Sequence, residues 1–114
     1  MSEKKFTFTK ELSSQQRARL KGMAHALKPV VQVGGGGVTD TIASEIALAL
    51  NCHQLIKIQL PGQSDASKKK EEVEALRARL PKHSHIIGRI GRIVVLFIEK
   101  APEDAPTINL SKLR

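Results

Sequence analysis

Four consecutive glycines, Gly34, Gly35, Gly36 and Gly37, stand between a β-branched run and a capped helix. The run before them is Val30-Val31-Gln32-Val33, and the helix opens at Thr39-Asp40 and continues through Ile42, Ile46, Ala49 and Leu50. A strand must therefore turn into a helix within a few residues. Glycine permits that turn because it reaches positive φ without a Cβ clash.

The same junction has a chemical reading. Glycine backbone lets N–H groups approach an anion closely, and a helix N-terminus adds unpaired donors and partial positive charge. The chain carries a formal net charge of +8, with 19 Lys and Arg against 11 Asp and Glu. In a basic protein the natural anion is a phosphate, and its natural polymer is nucleic acid. Two nucleotide-binding motifs fit poorly. No Gly-Lys-Ser/Thr follows Gly34, so this is not a Walker A loop. Gly34 and Gly36 fit G-x-G, but Thr39 takes the third glycine's place, and the next strand ends in Leu60-Pro61 without an acid for a ribose. A tight turn with no ligand also accounts for the glycines. The alternative in another class is a small nucleotide-binding protein or enzyme that uses the strand–glycine–helix turn.

The rest of the chain reads as one domain. Residues 1–11 are polar and basic, with Phe6 and Phe8 alternating, and read as a loose arm or an edge strand. Ser13 and Gln16 form a capping box for a first helix, with Leu20, Met23, Ala24 and Leu27 on one face and Pro29 as its stop. Leu55 to Leu60 alternates with period 2, placing Ile56, Ile58 and Leu60 on one side and Lys57 and Gln59 on the other. A third helix runs from about Ser67 to Leu80, with Val73, Leu76 and Leu80 inward, and Pro81 ends it. His85 to Glu99 is too long for one ordinary strand, and Gly91-Arg92 divides it into two. From Ala101 the chain, with Pro102 and Pro106, reads as an extended tail over residues 101–114. The expected fold is α/β: a single compact α-β-α-β-α-β-β domain, with a four-stranded mixed sheet packed against helices.

Composition narrows the function classes. There is no Trp or Tyr and there are three Phe, so stacking of bases on an aromatic sheet surface is not expected. Recognition should then rest on phosphates and shape. Cys52 is the one cysteine, which excludes an intrachain disulfide and suits a reducing cytoplasm. No apolar run approaches bilayer-spanning length, so no membrane partner is expected. His83 and His85 have the spacing of one strand side but lack further ligands, and no metal or other cofactor is expected. No Ser/His/Asp or Cys/His nucleophile arrangement stands out, and the expectation is a non-enzyme.

The segment from Leu20 to Thr39 resembles the signature of the YhbY-like family, the bacterial stand-alone versions of the CRM (chloroplast RNA splicing and ribosome maturation) domain. The shared features are Lys21-Gly22-Met23-Ala24-His25, Leu27-Lys28-Pro29, and Gly34 to Gly37 at a Gly-x-x-Gly motif followed by Val38-Thr39. Glu45-Ile46, Leu55-Ile56-Lys57 and Ile90-Gly91-Arg92 before Val94-Val95-Leu96-Phe97 also match, so the resemblance extends over residues 12–100. Two departures stand out. Both variable positions of Gly-x-x-Gly are glycine, and the last strand has Phe97-Ile98 where the family often has Tyr-Arg.

The resemblance implies a fold similar to the C-terminal domain of translation initiation factor three. It also implies RNA binding, with ribosomal RNA in precursors of the large subunit as partner. The expected RNA-binding residues are Arg17, Lys21, Lys28, Gly34 to Gly37, Thr39, Lys57 and Arg92, acting in a monomer. Binding of this kind falls steeply with salt and carries modest sequence preference.

Overall fold

A computed structural model describes residues 8–61, 66–104, 106–110 and 113. The arm's first seven residues, with Phe6, and the loop from Gly62 to Asp65 lie outside the described residues. The elements are α1 (Ser14–Ala24), β1 (Pro29–Gln32), α2 (Asp40–His53), β2 (Leu55–Gln59), α3 (Ala66–Arg79), β3 (Ser84–Ile90) and β4 (Ile93–Ile98), followed by a 3-10 turn at Pro102–Asp104. The expected α/β order is the observed one.

The strands form one sheet in the order β1-β2-β4-β3. β1 and β2 are parallel, joined by a crossover through α2, and the remaining pairs are antiparallel. Gly91, at φ +58, makes the tight reversal between β3 and β4, a conformation that favours glycine. Each sheet face buries its own apolar cluster. On one side Ile46 and Leu50 of α2 and Leu76 of α3 meet Val31, Ile56, Ile58, Val94 and Leu96. On the other, Leu20 and Ala24 of α1 meet Leu55, Val95, Phe97 and Ile87, with Leu110 from the C-terminal segment. Period-2 alternation along β2 and β4 produces both faces, which is why β4 reads as almost wholly apolar.

Local chemistry sets the helix starts. Ser13 accepts from the Gln16 amide at 3.1 Å, while the Gln16 side chain accepts from the Ser13 amide at 3.0 Å, the reciprocal box read from sequence. Thr39 caps α2 by accepting from the Ile42 amide at 3.2 Å.

Three expectations need correction. First, α1 ends at Ala24, short of Pro29, and Met23 and Leu27 are 44% and 39% exposed rather than core. The cause is a partner distant in sequence. Leu27 turns back to the Ala24 carbonyl at 2.9 Å, and Lys57 Nζ takes the carbonyls of His25 at 3.3 Å and Leu27 at 3.0 Å. Those carbonyls find a cation on β2 instead of another helical turn.

Second, the segment past Ala101 is not simply extended. Gln54 is 2% exposed, and its side-chain amide donates to the Ile98 and Ile108 carbonyls, both at 3.1 Å, and accepts from the Ile108 amide at 2.9 Å. Leu110 is thereby held in the α1-side core, where Gln16 donates to its carbonyl at 3.3 Å. Third, His83 and His85 do not share a strand face. His83 sits before β3 at φ +68, with its ring stacked on Phe8.

Candidate functional site

The glycine loop leaves the sheet where β1 and β2 end. Val33 donates to the Gln59 carbonyl at 2.7 Å, and Leu60 donates to the Arg92 carbonyl at 2.7 Å. The glycine loop, the exit of β2 and the β3–β4 turn therefore adjoin at one end of the sheet.

Within the loop, Gly37 donates to the Gly34 carbonyl at 3.0 Å and Thr39 donates to the Gly37 carbonyl at 3.1 Å. Gly34, Gly35 and Gly36 are exposed, and a Cβ on any of the four glycines would meet nothing within 4 Å. Only Gly37, at φ +80, needs a conformation that other residues resist. The open space around the other three leaves their backbone accessible to a ligand from outside.

The α2 N-terminus behind the loop is already partly occupied. The Thr39 side chain satisfies one donor, and Asp40 places a carboxylate in the first turn. That carboxylate pairs with Arg79 at the end of α3, and Arg79 also donates to the Val38 carbonyl at 3.4 Å. Arg79 offsets the acid and ties α3 to the loop, a role the sequence did not disclose.

The expected basic residues divide into two groups. Lys21, Lys28 and Arg92 are exposed and form no ion pair among the described residues. Lys21 lies across Gly88 of β3, where a Cβ would come within 2.7 Å of its Cε. Arg17 and Lys57 are instead engaged by backbone. Arg17 Nη1 donates to the Ile86 carbonyl at 3.0 Å and the Ile87 carbonyl at 3.2 Å, where the β3–β4 register shifts. It thus ties α1 to an edge strand, beside a cleft of about 770 Å³ remote from the glycine loop. Lys57 braces the α1–β1 connection. The hydrogen bonds of both are structural.

The positions of the acids add a signal that the motifs alone miss. No Asp or Glu occurs in residues 12–39, 46–64 or 75–98. Among the described residues the acids lie at Glu11, on α2, on α3, and beyond β4 at Glu99, Glu103 and Asp104. At the glycine-loop end, the α1 side of the sheet and the β3–β4 turn carry cations; the acids of that side, Glu11 and Glu99, lie toward the other end, and Asp40 behind the loop is paired with Arg79. Segregation of this kind builds a positive potential over one surface.

At the other end of the sheet lies a second polar cluster. Glu99, 8% exposed, accepts from the Thr9 amide at 2.6 Å and the Thr9 hydroxyl at 3.2 Å. Burial lowers the pKa of nearby His85 below its ordinary 6.5, outweighing the Glu99 charge that raises it. Its Nε2 is buried without a hydrogen-bond partner among the described residues. Among those residues no three His, Cys, Asp or Glu side chains converge as metal ligands would, and no helix is long and apolar enough to cross a membrane.

Known proteins resemble this chain in sequence and in fold. A family model described as the CRS1 / YhbY (CRM) domain matches residues 12–97. A Haemophilus influenzae protein named RNA-binding protein is 42% identical over 101 residues, covering 89% of this chain and 96% of its own. The Bacillus subtilis protein named Probable RNA-binding protein YqeI is 36% identical over 88 residues, covering 77% of this chain and 88% of its own. The solution structure of SAV1595 from Staphylococcus aureus matches with a TM-score of 0.66 at 28% identity, over 80% of this chain and 92% of that one.

Proposed function

We propose that this chain, which belongs to the CRS1 / YhbY (CRM) domain family, is an RNA-binding protein rather than an enzyme, and that its RNA is ribosomal. The observation that carries the reading is the cationic glycine-loop end of the α1 side, where α1 and all four strands hold no acid, beside an exposed glycine loop. The names of the Haemophilus influenzae and Bacillus subtilis relatives point the same way.

In this mechanism backbone N–H groups of the Gly34 to Gly37 loop donate to an RNA phosphate, with Thr39 fixing the helix start behind it. Lys21, Lys28 and Arg92 supply the mobile cations around the loop. Arg17 and Lys57 contribute charge from fixed positions and hold the surface in shape. Phosphate contacts position the RNA without reading its sequence. The setting is the cytoplasm, the binding unit a monomer, and the RNA part of a precursor of the large ribosomal subunit.

Sucrose-gradient fractionation of lysate at low and high salt tests the ribosomal part. Co-migration with particles at or just below the large subunit, lost at high salt, is expected. A position only at the top of the gradient at low salt overturns it. The loop mechanism is tested with Gly37→Asp, which adds negative charge at the phosphate position. Unchanged RNA affinity in a folded variant would overturn that mechanism.

A further inference from the structure

The α1 helix covers only part of its side of the sheet. Its buried residues, Leu20 and Ala24, reach Leu55, Val95, Phe97 and Ile87, and the next row toward the glycine loop lies beyond them. Register identifies that row. Gln32 of β1 pairs with Gln59 of β2, Gln59 with Ile93 of β4, and Ile93 with Ile90 of β3. Residues paired in register share a face, and alternation with Leu55, Val95 and Gly88 puts all four on the α1 side. None belongs to the cluster under α1, and Ile90 is 74% exposed.

The row crosses four strands, a span of ~14 Å at the usual strand spacing. One end adjoins the glycine loop and the other the Gly91-Arg92 turn. Lys21 and Lys57 border it from the α1 side and Arg92 from the open end, with no acid in the surrounding strands or in α1. Two amides beside two aliphatic side chains match the needs of an unpaired base. A base offers an apolar face to pack on isoleucine and donor–acceptor edges that a glutamine amide can satisfy with both of its groups.

We propose that Gln32, Gln59, Ile93 and Ile90 form a docking row for unpaired bases of the RNA whose phosphates the glycine loop holds. The row is aliphatic and amide in character, in place of the aromatic platforms that other single-strand readers use. It supplies sequence discrimination that phosphate contacts alone cannot. This inference rests on the RNA-binding reading above and deepens it. The cationic rim fits a nucleic acid better than an apolar protein surface.

The experiment compares wild type, the Gln32→Ala/Gln59→Ala double variant and Ile90→Ser on a randomised single-stranded RNA pool, sequencing the bound fraction. Lys28→Gln is the control for a phosphate contact. Wild type is expected to enrich particular bases at adjacent positions. The double variant should flatten that enrichment by roughly tenfold, the scale of one lost bidentate amide–base contact. Ile90→Ser, at a site too exposed to unfold the domain, should reduce it in part. Lys28→Gln should weaken all sequences alike. Wild-type enrichment retained in both row variants overturns the proposal and points to a protein partner for the row. Binding without any enrichment in wild type overturns the row while leaving RNA binding intact. No RNA binding by wild type overturns both.

Discussion

The salt dependence of RNA binding follows from how the cations are placed. Each cation that neutralises a phosphate on a single strand contributes about −0.7 to the slope of log K against log salt. Lys21, Lys28 and Arg92 are exposed and free of ion pairs among the described residues, so these three together give a slope of about −2. Affinity should then fall roughly 20-fold between 50 and 200 mM salt. Replacing all three with glutamine removes that part of the slope. Gly37→Ala acts differently, because it strains the loop at φ +80 without removing a charge. It should lower affinity at every salt concentration while the slope holds. Fluorescence anisotropy with a labelled single-stranded RNA, titrated at several potassium chloride concentrations, reads both quantities. A triple variant with the wild-type slope would refute the assignment of these cations. So would a Gly37→Ala variant whose slope collapses while its affinity at low salt is retained.

Other perturbations test other parts of the molecule. Gln54→Met removes three hydrogen bonds to Ile98 and Ile108 at nearly constant volume, and a loss of about 2–4 kcal/mol in urea unfolding is expected. Leu76→Ala deletes the fully buried anchor of α3 and should cost about 2–5 kcal/mol in the same assay. Gly88→Ala should leave the melting temperature nearly unchanged yet weaken RNA binding, because the added methyl displaces only the flexible end of Lys21. His85 has a folded pKa below its unfolded value, so folding favours its neutral form. Its contribution is present above the ordinary 6.5 and is lost as pH falls from there toward the lower folded pKa. Stability measured across that window should fall on acidification, and His85→Phe should flatten the decline.

The parts of the fold legible in the sequence are those set by near neighbours. The Ser13–Gln16 box, the Thr39 cap, the glycine turn and the alternation in β2 each depend on residues within a few positions. The end of α1 was not legible, because it depends on Lys57, thirty-odd residues away in the chain. Gln54 looks like an ordinary polar residue at a helix end. Its meaning appears only when Ile108 arrives beside it. The site was legible to a similar extent. Spacing singled out the glycine loop and a set of basic residues as candidates, but not which of those residues are held by carbonyl oxygens. The acid-free stretches are visible in the sequence, yet only the strand order shows that they combine into one surface.

The fastening of the two chain ends has a corollary. Thr9 is clamped by Glu99 and Ile108 by Gln54, both at the end of the sheet away from the glycine loop. Neither fastening uses the glycine loop or the β3–β4 turn, so the chain is tied down without covering that end of the sheet.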